Sequence, residues 1–137
     1  MSSRLLPGRL LAPVLLAAAL LIGCGPAASA PQRVTIVFHY SHFAPEQLAV
    51  PAGVPVTFIL RNDDPIDHEW IVGPPAIHEA HRHGTEIVHE SRRTEVSVPA
   101  LSSRVTRITF SRAGDLAYSC HLPGHEAYGM VGTLHIG

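Results

Sequence analysis

Eleven residues near the C-terminus, Cys120-His121-Leu122-Pro123-Gly124-His125-Glu126-Ala127-Tyr128-Gly129-Met130, restrict what this chain can fold into more than any other stretch. They put a thiolate, an imidazole and a thioether on one loop, spaced C-x4-H-x4-M. Soft sulfur ligands with imidazole favour copper or zinc over hard cations. The thioether narrows the choice to copper, whose trigonal sites take two His and one Cys with a long axial Met. The loop supplies three of those four ligands, so the fold must bring a second His from elsewhere. Taken singly, Cys120 reads as a buried small hydrophobe, His125 as a surface loop residue and Met130 as core filler. Together, punctuated by Pro-Gly and Gly, they read as a metal loop.

The chain has 137 residues, which suits one domain. Its start is not part of that domain. Arg4 and Arg9 form a basic region ahead of the apolar run Leu10 to Ile22, too short to span a bilayer as a mature helix. Residues 1–23 therefore read as a secretory signal. The run ends in Leu21-Ile22-Gly23-Cys24, which resembles the bacterial lipobox and implies cleavage before Cys24 and acylation of its thiol. Ordinary cleavage near Ala28-Ser29-Ala30 is the alternative. Residues 24–32 are small, uncharged and Pro-containing, a flexible tether. There are two cysteines, and a disulfide between them would consume the thiolate that the metal needs. Separate tasks, lipid on Cys24 and metal on Cys120, explain both. An acylated Cys24 would hold an exported protein on the outer side of a membrane without a spanning helix.

Residues 33–137 carry the folded domain. With Arg4 and Arg9 removed, eight arginines face eleven acidic residues and there is no Lys, a net charge of −3. That balance excludes the basic patch a nucleic-acid partner would need. The pattern is all-β. Val34, Ile36 and Phe38 alternate with Thr35 and Val37, and Val54, Val56, Phe58 and Leu60 alternate with Thr57 and Arg61. Further runs rich in β-branched residues lie at 95–98, 106–110, 115–120 and 132–136, with Gly, Pro, Asn and Asp turn signals between the runs. Short strands at this spacing predict a β-sandwich with Greek-key links.

The C-terminal loop resembles the ligand loop of the cupredoxins, the blue-copper electron-transfer family, and its spacing is most like the rusticyanin-like members. The order of the remaining signals is similar too, from Phe43 through Gly53 into the strand at 54–60. In that family the first His ligand follows this strand and a polar turn, the place His68 occupies 52 residues before Cys120. The resemblance thus implies His68, Cys120, His125 and Met130 as ligands of one type 1 copper in a cupredoxin-like domain. It implies a carrier that cycles Cu(I)/Cu(II), with Cys120 the charge-donating ligand, His125 nearest the surface and Met130 a tuning ligand. Leu122, Pro123, Ala127 and Tyr128 would form a small docking face for a transient redox partner. One departure is Glu69, where many members follow the first His with Asn or Ser; its backbone N–H can still donate to the Cys sulfur.

His121, next to Cys120, points to the other face by strand alternation and reads as non-ligating. Residues 73–95 look like a polar insertion loop carrying His78, His81, His83 and His89, four of the ten histidines, with one helical turn over 77–83. A His-rich tract can bind metal, so these four form a candidate accessory copper site; the alternative is a solvated loop with buffering histidines. Three functions compete: electron transfer, copper storage, delivery or resistance, and catalysis. Catalysis would need further copper sites between domains or subunits, so one domain with one ligand set reads as no enzyme.

Overall fold

The computed structural model describes residues 32–85, 90 and 92–137. The proposed signal, residues 24–31 of the tether with Cys24, and His89 lie outside the described residues, while Gln32, expected in the tether, opens the first strand. The strands are β1 (Gln32–His39), β2 (His42–Ala44), β3 (Gln47–Val50), β4 (Pro55–Asn62), β5 (His68–Gly73), β6 (Glu95–Val98), β7 (Ser103–Thr109), β8 (Gly114–Ser119) and β9 (Val131–Ile136), with one helix, α1 (Pro75–Arg82), between β5 and β6. They form two sheets, of order β2-β1-β4-β7 and β3-β9-β8-β5-β6. Both sheets are mixed: β1 pairs with β4 and β3 with β9 in parallel, the other pairs antiparallel.

The alternation expected of a sandwich is present. In β4, Val56, Phe58 and Leu60 are fully buried while Thr57 and Ile59 are half-buried and Arg61 is exposed. Ile36 and Phe38 of β1 join them in the core, opposite Trp70, Val72, Tyr118 and Leu134 of the second sheet. Aromatic contacts tie the sheets together, Phe58 against Trp70 with ring centroids 5.0 Å apart and Phe43 against Tyr118 at 5.2 Å, while Phe43 also packs on Phe38 of its own sheet at 5.1 Å. Such pairs are each worth about 0.5–1.5 kcal/mol beyond the area they bury.

Two regions differ from expectation. β5 is an unforeseen strand in which all six residues are buried. One face of it meets the core; α1 packs on the other, so no polar alternation marks it. The described residues of the segment 73–95 are not the open polar loop expected. Residues 75–82 form a two-turn helix with Pro75 in its first turn, where the missing N–H costs nothing, and with His81 and Arg82 in its last. Its inward face carries Ile77, His78 and His81, and Ile77 lies in contact range of Gly73.

Close cross-strand packing also sets a size limit. Gly132 of β9 lies directly across from Tyr118 of β8, and a Cβ at 132 would overlap the tyrosine ring, whose hydroxyl donates to Pro45 O at 2.7 Å. Gly132→Ala is expected to lower stability by about 1–3 kcal/mol. Chemical denaturation checks this, and an unchanged midpoint would contradict the packing.

Candidate metal centre

The loop after β8 is shaped by its own backbone bonds. Cys120 N–H donates to Met130 O at 3.1 Å, Met130 N–H to His125 O at 3.1 Å, and His125 N–H to Leu122 O at 3.0 Å. Gly124 takes a positive φ of 86°, which a side chain would resist. These bonds bring residues 120, 125 and 130 to one end of the sandwich. Cys120 and Met130 are fully buried, and His125 is half-exposed.

His68 reaches the same end from the first residue of β5, fully buried rather than exposed in a turn. Its Nδ1 lies 3.1 Å from His125 Nδ1, which in turn lies 3.3 Å from Cys120 Sγ. All three donor atoms fall within 4.8 Å of one another. The structure therefore gathers the donor atoms of His68, Cys120 and His125, and buries Met130 beside them with its backbone bonded to Cys120 and His125.

What holds His68 is a residue not assigned in advance. Asp64 accepts from His68 Nε2 at 2.8 Å, from Tyr40 N–H at 2.7 Å and from Ser41 N–H at 2.8 Å. Burial opposes its ionisation, yet these partners hold its carboxyl below the usual carboxylate range. Asn62 fixes the turn, donating to Ile66 O, Val98 O and Pro99 O while its Oδ1 accepts from Asp64 N–H. The polar run Asn62-Asp63-Asp64-Pro65 signals a turn in the sequence; that one of its carboxylates accepts from the histidine four residues on, while the N–H groups of Tyr40 and Ser41 in a distant turn orient it, is a tertiary fact.

The donor set fits copper. With Asp64 ionised, His68 carries its proton on Nε2 and turns a bare Nδ1 toward His125 and the sulfur. Burial pushes the Cys120 thiol up to about 11, although backbone N–H groups of Glu69 and Leu122 favour the thiolate; the Glu69 carboxylate adds to the upward push. Glu69 N–H lies 3.3 Å from the sulfur, the donor role its backbone was expected to keep. Burial also lowers His125 from its ordinary value, with His68 adding to the effect. Three electron-rich atoms held face to face in an apolar setting call for a cation, and a thiolate with two imidazoles selects copper or zinc. Asp64 behind His68 is the carboxylate–histidine arrangement that orients a metal ligand.

Of the accessory histidines, His78 and His81 are buried on α1, whereas the His83 side chain is 70% exposed and sits 3.4 Å from Glu79. His83 does not join the other two. His121 does: turned away from Cys120 as expected, it is buried beneath α1, and its Nε2 lies 2.9 Å from His78 Nδ1.

Comparison with known proteins agrees with this geometry. The chain is 31% identical to Copper-resistant cuproprotein CopI of Rubrivivax gelatinosus, over 80% of this chain and 69% of that one. It is 26% identical to Copper-resistant cuproprotein CopI of Pseudomonas aeruginosa, over 80% and 78%. Among solved structures, auracyanin A, a "blue" copper protein from Chloroflexus aurantiacus, has the same fold, with a TM-score of 0.57 at 23% identity over 79% of this chain and all of that one. The family model described as a cupredoxin-like domain matches residues 12–132. With its sandwich, its His-Cys-His cluster and this match over most of its length, the chain belongs to the cupredoxin-like family and binds copper.

Proposed function

We propose that this protein is a type 1 copper carrier that passes single electrons, with His68, Cys120, His125 and Met130 as its ligands. The observation that carries the reading is the approach of His68 Nδ1, His125 Nδ1 and Cys120 Sγ around one buried point at the end of a rigid sandwich. Copper bound there supplies a one-electron Cu(I)/Cu(II) couple. The chain's own part is to keep the ligands still: Asp64 holds His68, Glu69 N–H steadies the sulfur, and the backbone bonds of the 120–130 loop hold His125 and Met130. His125 is the least buried of the three clustered donors, which suits it to be the point where electrons enter and leave. Exposed Pro123, Ala127 and Tyr128 with half-buried Leu122 offer a redox partner a small apolar face. The amino-terminal sequence supports export and attachment to the outer side of a membrane through Cys24. A chain with one complete type 1 ligand set of this kind is a carrier rather than an enzyme.

A second reading, copper tolerance, is favoured by one observation: both CopI relatives are called copper-resistant cuproproteins. Reversible one-electron cycling of a single tightly held copper supports the carrier. Copper sensitivity of cells lacking the protein, without any change in electron flow, supports tolerance.

Adding Cu(II) to the metal-free protein is expected to produce the intense visible band of a thiolate–copper bond. Cys120→Ser should abolish the band, and His125→Gly should leave a coloured site with an altered spectrum that external imidazole restores. A colourless wild-type complex would overturn the type 1 assignment.

Because the thiol is protonated below about 11 and His125 is neutral at pH 7, binding displaces about one proton per copper. Apparent affinity should rise about tenfold per pH unit between pH 7 and 10, measured by competition with a chelator. Affinity that is flat over this range would contradict the buried thiol.

Asp64→Ala should weaken copper binding about 10- to 100-fold and destabilise the metal-free protein by about 1–3 kcal/mol. The folded Asp64 pKa is depressed, so its stabilising effect is full above the unfolded value and is lost as pH falls through the folded one. The stability gap between wild type and variant should therefore close in acid, below the ordinary carboxylate pKa of 3.8. A gap independent of pH would show that the carboxylate is not the cause.

A further inference from the structure

A second pair of imidazoles meets face to face on the other side of the Cys120–His121 peptide. His78 Nδ1 and His121 Nε2 are 2.9 Å apart, close to the 3.1 Å between the facing nitrogens of His68 and His125. Both rings are buried, with His78 3% exposed and the His121 side chain 2% exposed. His81, whose Nδ1 donates to Ile77 O at 2.8 Å, stacks on His121 with centroids 5.5 Å apart.

The far nitrogens decide where the protons are. His78 Nε2 lies 3.2 Å from both Gly73 O and Ala117 O. Carbonyl oxygens only accept, so Nε2 carries the proton and Nδ1 is bare. His121 Nδ1 faces Glu126 Oε2 at 3.5 Å, and that carboxylate is fixed in ionised form by Arg82, at 2.6 and 2.8 Å. If His121 holds its proton on Nε2, it satisfies His78, but a bare buried Nδ1 without a hydrogen bond faces a carboxylate. If it holds the proton on Nδ1, that proton faces the Glu126 carboxylate, but two bare nitrogens oppose each other at 2.9 Å. A cation between His78 and His121 resolves both contacts.

We infer that His78 Nδ1 and His121 Nε2 are ligands of a second, imidazole-bound metal site, filled in this protein by Cu(II). As His68 turns its far nitrogen to Asp64, His78 turns its far N–H to two backbone carbonyls, the arrangement that orients a metal-ligating histidine, and His121 faces the Glu126 carboxylate with its own far nitrogen at 3.5 Å. Imidazole suits copper and zinc, and among divalent ions of this series a nitrogen site binds Cu(II) most strongly. Remaining positions fall to water, and His81 packs against the His121 ring. Of the four histidines expected from the His-rich tract, this pair uses His78 and joins it to His121. The inference rests on copper being the protein's metal and not on the type 1 reading of the first centre.

The test uses the full chain. Copper is added until the visible band saturates, and then a further equivalent of Cu(II) is titrated and followed by electron paramagnetic resonance and metal analysis. One further colourless Cu(II) with imidazole-nitrogen hyperfine structure is expected. His78→Phe should weaken it at least about tenfold and leave the visible band unchanged, while His83→Ala should change neither. If His78→Phe fails to fold, proton NMR of the wild type gives the same answer, because paramagnetic broadening by the second ion should strike the His78 and His121 rings and spare His83. Failure to bind a second ion, equal binding by His78→Phe, or broadening centred on His83 would each overturn the inference. Loss of the visible band in the wild type would count against the first centre alone, since the second is read by its own resonance.

Discussion

The 2.8 Å bond from His68 Nε2 to Asp64 is the interaction on which the rest of the centre depends. Cys120, His125 and Met130 are near neighbours in sequence, and their loop can bring them together by local backbone bonds. His68 has no such help: it begins a strand of the opposite half of the chain. Asp64 joins it to the β1–β2 turn through the N–H groups of Tyr40 and Ser41, and Leu101 N–H donates to Asp64 O. Three connections at one pole of the sandwich thus share a single residue. A buried carboxylate is costly unless fully partnered, so the turn that supplies those partners and the imidazole they orient stand or fall together.

The sulfur is governed by a balance rather than by one contact. Burial and the Glu69 carboxylate favour the thiol; the N–H groups of Glu69 and Leu122 favour the thiolate. A metal ion tips this balance outright, which couples its uptake to proton release. Because the donors are carried by a strand, a bonded loop and a carboxylate-capped ring, they are held in place by the fold and not by the ion. Such preorganisation suits the proposed one-electron role, since a ligand cage that rearranged with oxidation state would slow each transfer. The Glu69 carboxylate in place of a neutral side chain changes the charge beside the sulfur, a change that tunes potential.

The helix α1 gives the far side of the Cys120–His121 peptide a second purpose. It buries two histidines against His121 and links its own end to the ligand loop through Arg82 and Glu126. Glu126 follows His125 directly, so the ion pair ties the position of the main centre's most exposed ligand to the helix. A polar, His-rich stretch that looks like a solvated insertion is in fact part of the packing around the metal loop.

What the sequence determined by itself is what local spacing can carry. The C-x4-H-x4-M loop names three ligands because turn geometry acts within a few residues, and the alternation in β1 and β4 names a sandwich because period-two burial leaves a period-two pattern. β5 left no such pattern, since the core covers one face of it and α1 the other. Its first residue, His68, was legible only through the family's order of strand and turn. The tertiary structure alone decided that Asp64 and not a neighbour caps His68, and that His121 meets His78 across 43 residues of chain. The second contact joins distant segments, and the first, though it spans only four residues, is oriented by the N–H groups of Tyr40 and Ser41 from a distant turn; the free energy that selects both belongs to the whole sandwich, not to any stretch that a pattern can reveal.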